Sequence, residues 1–268
     1  MSRAPRDWGR YPRILGVCWR AAVSTELEYR VDFWSKVALS AFWTAWAAIG
    51  VSVFFRFTGD VAGWSYAEVL VVVGLFFALN GLRQALLEPN LDRMADHVRL
   101  GTLDFLLTKP VDAQLLVSLR QLNATSLVDV PLGLALVGVG LWLEGSAPSI
   151  PSLGAFVVCI AVAVVLLWAT SVALMALAVR LVGAEDLGVV SFSAVELSRF
   201  PVQAYRDPLQ AVLTVIPVAF LTTVPAQALL GRLDPWLLLI GPAVAVVGVA
   251  LATLAWRGAL AGYTGASA

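Results

Sequence analysis

Charged residues are scarce in this sequence. Lys, Arg, Asp and Glu together supply only 13% of its 268 residues, while hydrophobic residues supply 60%. Soluble domains have ~25% charged residues, so this composition excludes an ordinary soluble domain. The sequence also lacks the ~10-residue segments of alternating apolar and polar residues that indicate a transmembrane β-barrel. We therefore expect an all-α polytopic membrane protein in contact with a lipid bilayer.

Groups that carry out catalysis or bind nucleotides are equally rare. His97 is the only histidine and there are two cysteines, too few for a clustered zinc site. Neither the GxxxxGK(S/T) phosphate loop nor the Gly-x-Ser-x-Gly nucleophile elbow occurs. The net charge is zero, which gives no electrostatic basis for binding nucleic acid. We expect no catalysis by this chain, and neither a metal nor a cofactor bound to it.

The sequence does contain a series of apolar runs. Crossing a hydrocarbon core of ~30 Å takes about 20 apolar residues in a helix. Runs of about this length predict transmembrane helices at 37–57, 68–87, 121–143, 153–181 and 236–257.

The region before the last run has two interpretations. Residues 187–200 are apolar enough for a short span but carry Glu196. Residues 208–230 are long enough to span, yet Pro217 and Pro225 each remove a helix hydrogen bond and favour a bend. Either the first segment spans and the second enters and leaves from the outer face, or the first lies inside and the second spans. Flanking arginines mildly favour the second choice, and the prolines favour the first.

Positive charges predict the orientation, because Lys and Arg concentrate in cytoplasmic segments. Seven of them precede the first span, none lies in the loop 58–66, three lie in 88–112 and none in 144–152. Both termini and the loop 88–112 are therefore expected on the cytoplasmic side.

The segment 13–30 has the pattern of an amphipathic interfacial helix. At ~100° per residue, Ile14 and Trp19 fall on one side and Arg20 on the other. Glu26 does not fit this pattern. The alternative is a plain charged tail.

The stretch "RLGTLDFLLTKPVD", residues 99–112, predicts a short helix in a cytoplasmic loop. Gly101 breaks the preceding segment, Thr102 can cap a helix, Asp104 suits its first turn, Lys109 its last turn, and Pro110 ends it. The result would be a helix of two turns.

Three leucines of this helix share one apolar face, namely Leu103, Leu106 and Leu107. Such a face can dock into a groove of a soluble partner. It can equally pack against the chain's own spans, and the spacing alone does not decide between the two.

Four polar residues inside the apolar runs are candidates for a translocation path: Asn80, Arg83, Asp129 and Glu196. Each costs a few kcal/mol in the bilayer unless it is paired or faces water. The alternative is that Arg83 and Asp129 lie near the inner interface and pair or snorkel.

The stretch "RLGTLDFLLTKPV" is preceded by "GWSYAEVLVVVG" (63–74) and followed by "SRFPVQAYRDPLQAVLTVIPVAFLTTVPAQALLG" (198–231). In this order the sequence resembles the ABC-2 type permeases, the membrane subunits of a class of ABC exporters, over nearly the whole chain. The resemblance implies a single transmembrane domain, 1–268, with six spans. It makes 187–200 the fifth span and 208–230 a re-entrant hairpin on the outer side.

The resemblance also implies a function. The loop helix would be a coupling helix that fits a cleft in a separate ATPase, through Gly101, Thr102, Leu103, Asp104, Leu106, Leu107, Lys109 and Pro110. Two ATPase subunits would bind ATP and Mg, and a second permease, identical or homologous, would complete the path. The expected location is a bacterial inner membrane. A channel, a scaffold or a secondary transporter is the alternative function.

Overall fold

The computed structural model describes residues 10–28, 30–145, 147–181, 187–215 and 217–263. Within these ranges the chain forms helices and one isolated β-bridge between Val61 and Trp64, and no strand. The α-helices are α1 (Arg10–Glu28), α2 (Arg30–Phe55), α3 (Tyr66–Leu86), α4 (Glu88–Arg99), α5 (Leu103–Leu107), α6 (Ala113–Leu119), α7 (Asp129–Glu144), α8 (Ile150–Arg180), α9 (Leu187–Glu196), α10 (Asp207–Val215), α11 (Thr223–Leu229) and α12 (Pro235–Ala261).

Five helical segments of the described chain are long and apolar enough to cross a membrane. They are Arg30–Phe55, Tyr66–Arg99, Thr125–Glu144, Ile150–Arg180 and Pro235–Ala261. The prediction of a helical multi-pass membrane protein is therefore confirmed. The number of six spans stays a prediction, because the segment expected to be the fifth span contains only short helices.

The long helices run between two ends of the bundle, here called the α5 end and the Trp64 end. At the Trp64 end, the Ser65 hydroxyl donates to the Glu144 carboxylate over 3.1 Å, which joins the start of α3 to the end of α7. At the α5 end, Gly81 of α3 lies against Asp129 at the start of α7. The two helices are therefore antiparallel neighbours over their full length.

Glycines let α3 and α7 approach at backbone distance. A Cβ atom on Gly74 would lie 2.6 Å from the carbonyl oxygen of Gly133, and one on Gly140 would lie 2.7 Å from that of Ala67. Small residues allow such close packing in membranes, where helices associate through van der Waals contact rather than through the hydrophobic effect. The two helices thus form the tightest contact in the described bundle.

The segment 187–232 connects the α5 end to the Trp64 end through short pieces. Leu187 packs in the same apolar cluster as Leu103 at the α5 end, and the guanidinium of Arg199 lies 4.9 Å from the ring centre of Phe76 in the middle of α3. At the Trp64 end, Arg232 pairs with the buried carboxylate of Glu68. The ten residues of α9 are only ~15 Å long, half of a bilayer core.

The prolines of the predicted hairpin mark helix starts. Pro217 begins a 3₁₀ turn, Pro217–Phe220, and Pro225 is the third residue of α11. The first four N–H groups of a helix have no partner within it, so Pro225 removes no hydrogen bond there and causes no bend. The prediction that Pro225 removes a helix hydrogen bond is therefore wrong, whereas the re-entrant hairpin stays a prediction. α11 itself is buried.

The third span begins later than its apolar run predicts. The chain is not helical at residues 121–124, and a 3₁₀ turn, Thr125–Val128, leads into α7. The Asn90 side chain holds this break: its Oδ1 accepts from the Gln121 N–H over 2.8 Å, and its Nδ2 donates to the Gln121 carbonyl over 3.0 Å. Asn90 lies on α4, a helix that the sequence reading missed.

Candidate functional site

The loop helix α5 follows a sharp turn at Gly101. Gly101 has φ +67°, a left-handed conformation that glycine adopts without strain, and it ends α4. α5 has five residues, Leu103–Leu107, rather than the two turns predicted. Thr102 does not cap it; the Thr102 hydroxyl instead lies 2.8 Å from Nδ1 of His97 on α4.

The apolar face of α5 is covered by the chain itself. Leu103 is fully buried and Leu106 is 4% exposed. Both pack in one cluster with residues of α4, α6, α8 and α12, among them Met94, Val117, Met175 and Trp256, and Leu107 packs at its edge. Leu103 and Leu106 thus pack against the chain's own spans, which is one of the two alternatives that the spacing left open, and the coupling role of the loop stays a prediction. A five-residue helix cannot leave three leucines in water when a cluster of apolar side chains lies beneath them.

The opposite surface of this loop is exposed and is called here the Phe105 surface. Phe105 is 72% exposed and Leu100 is 66% exposed, and Thr108, Lys109 and Pro110 lie beside them in solvent. Asp104 is half-buried. Burial, together with the negative charge of Asp104, raises the pKa of the Tyr263 hydroxyl just beyond α12. The end of the described chain therefore lies close to this loop.

Helix α1 is fixed to the segment that follows α5. The Asp112 N–H donates to the Tyr11 hydroxyl over 2.7 Å, and the Trp19 indole donates to the Leu119 carbonyl over 2.9 Å. Glu26 accepts from the N–H groups of Ala124 and Thr125 over 2.9 and 2.6 Å. Glu26 is the residue that did not fit the pattern of the predicted interfacial helix, although that misfit did not identify its partners.

Arg83 is the most deeply buried charge of the described chain and is 1% exposed. Its Nε donates to Asn80 Oδ1 over 3.1 Å, its guanidinium lies 3.3 Å from the Glu88 carboxylate, and Nη1 reaches Ser191 over 3.4 Å. Of the alternative that Arg83 pairs or snorkels, the structure shows the pairing, with Glu88. Its side chain links α3, α4 and α9.

A polar cleft opens between α2, α3, the start of α7 and α9. Its volume is about 750 Å³. Of the four residues predicted for a path, Asn80 and Asp129 line it, whereas Arg83 and Glu196 do not. Asp129 accepts a hydrogen bond from the Ser40 hydroxyl of α2.

An apolar cleft of about 480 Å³ continues from the polar one toward the Trp64 end. Trp46, Ala47 and Arg199 line both. Arg199 was not predicted from the sequence as a residue of the path; it pairs with Glu196, which lines neither cleft, over 2.7 Å. No signal in the sequence distinguishes Arg199 from the neighbouring Arg206.

Among the described residues no group of three His, Cys, Asp or Glu side chains could hold a metal ion. Long apolar helices around a cleft that polar groups line, with an exposed helical loop at one end, are typical of an integral membrane protein of the transport class.

The comparison with protein families makes this class specific. The family described as "ABC-2 family transporter protein" matches residues 41–267, so the chain belongs to it. It is a membrane permease component of an ABC transporter, a context that includes ATPase partners. Helix α1 lies outside the matched residues. No curated protein and no solved structure gives a significant match.

Proposed function

We propose that the chain is the permease subunit of an ATP-driven exporter in a bacterial inner membrane. Two ATPase subunits bind and hydrolyse ATP with Mg, and this chain forms the path together with a second permease, identical or homologous. The chain itself is not catalytic. Its family membership carries this proposal, since ABC-2 permeases are transport components that work with separate ATPases.

In this proposal the ATPase docks on the Phe105 surface. An exposed aromatic side chain beside Leu100 and Lys109 suits a hydrophobic pocket with a polar rim, and aromatic residues frequently anchor interfaces. Closure of the ATPase pair on ATP moves α5, and the cluster under Leu103 and Leu106 passes this movement to α4, α8 and α12.

The proposed topology has six spans and cytoplasmic termini. The segment 187–200, which contains α9, is the fifth span in this topology. The segment from α10 to α11 enters from the outer side and returns there, and the pairing of Arg232 with Glu68 at the Trp64 end supports this.

The docking proposal is tested by co-purification of the tagged chain with an ABC ATPase expressed from the adjacent coding sequence. Phe105→Asp should lower ATPase retention and complex-dependent ATP hydrolysis roughly tenfold, as expected for the loss of an aromatic anchor. Phe57→Asp is the matched control, because Phe57 is 86% exposed but lies at the Trp64 end. Equal retention by both variants would contradict the proposal.

A further inference from the structure

The polar and apolar clefts form one elongated binding surface, called here the long cleft. Both are bounded by α2 on one side and α3 on the other, and Trp46, Ala47 and Arg199 contribute to both. Pockets for small molecules have volumes of ~300 to 1,000 Å³, and each half of the long cleft is within this range. Two chemically different halves therefore meet at Trp46 and Arg199.

The half toward the α5 end offers hydrogen-bonding groups. Three amides line it, Asn80, Gln84 and Asn123, and hydroxyl groups of Ser40, Thr125 and Ser126 lie among them. Amides and hydroxyls together supply both donors and acceptors, as a head group rich in oxygen and nitrogen requires. Aromatic rings of Trp43 and Phe77 also face this half, so apolar faces of a bound head group can pack there.

The charges in this half have both signs. Lys36 and Arg199 are cations, each paired with a carboxylate of its own helical segment, Asp32 and Glu196. Asp129 is an anion that is held by the Ser40 hydroxyl. Because both cations are already paired, an anionic ligand would meet the negative charge of Asp129 without a free cation in this half. The charge distribution thus suits a neutral or zwitterionic head group.

The half toward the Trp64 end is lined almost entirely by hydrocarbon. Val51 and Phe54 of α2 face Val69 and Val73 of α3 across it. Gly50 also borders it, and a Cβ atom on Gly50 would meet no atom within 4 Å. This half has room for an alkyl or aromatic moiety, and its one charged lining residue, Arg199, lies where the two halves meet.

We propose that the long cleft binds an amphipathic molecule, with a neutral or zwitterionic head between Asn80 and Ser126 and an apolar part between Phe54 and Val69. This inference rests on the proposed function, because it names the class of substrate for the same path. In the proposed topology the polar half is on the cytoplasmic side, so the ligand has the orientation of a lipid in the inner leaflet. It can enter past the sparsely buried α2 without reversing its direction.

Photolabelling of the full chain in phosphatidylcholine nanodiscs tests the proposal. The probes share one dodecyl chain with a diazirine and differ in the head: maltoside, phosphocholine or sulfate. The maltoside and phosphocholine probes should label peptides that contain Gly50–Phe55 and Val69–Val73, and unlabelled dodecyl maltoside should compete. The sulfate probe should label these peptides roughly tenfold less, because Asp129 repels it and the two cations are already paired; this corresponds to about 1.4 kcal/mol.

Two pairs of variants localise the labelling. Gly50→Phe fills the apolar half and should abolish labelling, whereas Gly154→Phe on α8, where a Cβ atom also meets nothing within 4 Å, should not. Gln84→Leu removes an amide from the polar half, and Gln227→Leu on α11 is its control outside the cleft. The melting temperatures of all four variants identify any that fails to fold. If Gly50→Phe does not fold, labelling of Gln84→Leu is compared with labelling of Gln227→Leu instead.

Three results would overturn the proposal. The first is labelling that is distributed over α8 and α12. The second is equal labelling by all three head groups, and the third is labelling that Gly50→Phe leaves unchanged. A decrease of labelling as the number of chains per nanodisc rises would assign the cleft to contact between copies. The experiment needs neither ATP nor an ATPase, so its failure is distinguishable from a failure of the ATPase docking experiment.

Discussion

The Glu26 carboxylate of α1 holds Thr125 twice, since Oε2 accepts from its N–H and from its hydroxyl, each over 2.6 Å. The same side chain also accepts from the Ala124 N–H. These groups begin the helical turn that leads into α7, and a carboxylate is the side chain that best satisfies unpaired N–H groups at a helix start. A residue almost a hundred positions earlier therefore caps the third span.

We expect Glu26→Ala to destabilise the protein by about 1 to 2 kcal/mol, as the loss of a charge-assisted helix cap does. The measurement is the melting temperature in detergent, with trypsin cleavage of α1 as a second readout. Glu28→Ala is the control, because Glu28 is exposed at the end of the same helix. If both variants have the same melting temperature as the unchanged chain, the cap has no structural role.

Gly133→Ala should force α3 and α7 apart. The new Cβ atom would overlap the carbonyl oxygen of Gly74 and lie 2.5 Å from the Ala78 nitrogen, which is backbone that cannot rotate away. Overpacking of this kind costs about 1 to 3 kcal/mol, so the melting temperature should fall.

The control for this change lies on the same helix. A Cβ atom on Gly138 meets nothing within 4 Å, so Gly138→Ala should leave stability unchanged or raise it slightly through helix propensity. Equal melting temperatures for Gly133→Ala and Gly138→Ala would show that the two helices do not touch at Gly74.

Arg83→Met should loosen α9. Removing the guanidinium deprives Asn80, Glu88 and Ser191 of their common partner. We expect the free energy of unfolding to fall by roughly 2 kcal/mol. This is less than the cost of breaking a fully buried ion pair, because the Glu88 side chain is 28% exposed. Trypsin cleavage after Arg199 should become faster as α9 is released.

Arg93→Met is the control for Arg83, because Arg93 is exposed on α4. If Arg93→Met accelerates cleavage after Arg199 as much as Arg83→Met does, the buried arginine does not hold α9.

Arg232→Ala should lower the melting temperature, because the Glu68 side chain is only 7% exposed and loses its charged partner. We expect the free energy of unfolding to fall by about 1 kcal/mol, since Arg232 itself is half exposed and solvent screens the pair. The double variant Glu68→Gln, Arg232→Ala should be more stable than Arg232→Ala alone, because Glu68→Gln removes the carboxylate that would otherwise be unpaired. Strict additivity of the single changes in this double-mutant cycle would indicate no interaction.

The helical, multi-pass class and the family could both be predicted from the sequence. Runs of apolar residues are a strong signal because a bilayer imposes a minimum length. The helix around Asp104 was also placed correctly along the chain. Its buried and exposed faces were not predictable, since Leu103 and Leu106 have the same spacing whether they meet a partner or the chain's own α4 and α8.

The polar residues show where prediction from one sequence ends. Asn80 and Asp129 were recognised as costly in a membrane, and both line the polar cleft. Arg83 and Glu196 were selected by the same argument but line neither cleft, and they pair with Glu88 and Arg199. Asn90 and Glu26 act through backbone groups far away in the chain, and a single sequence carries no signal of contacts between such distant residues.

Burial of Leu103 and Leu106 has a mechanical consequence. Because interiors are close-packed and barely compressible, a helix anchored by such side chains cannot tilt alone. A push on Phe105 displaces α5 together with the bases of α4, α8 and α12, which share the cluster. The short helix then acts as the outer surface of a rigid block formed by several spans, and any flexible joint must lie farther along those spans.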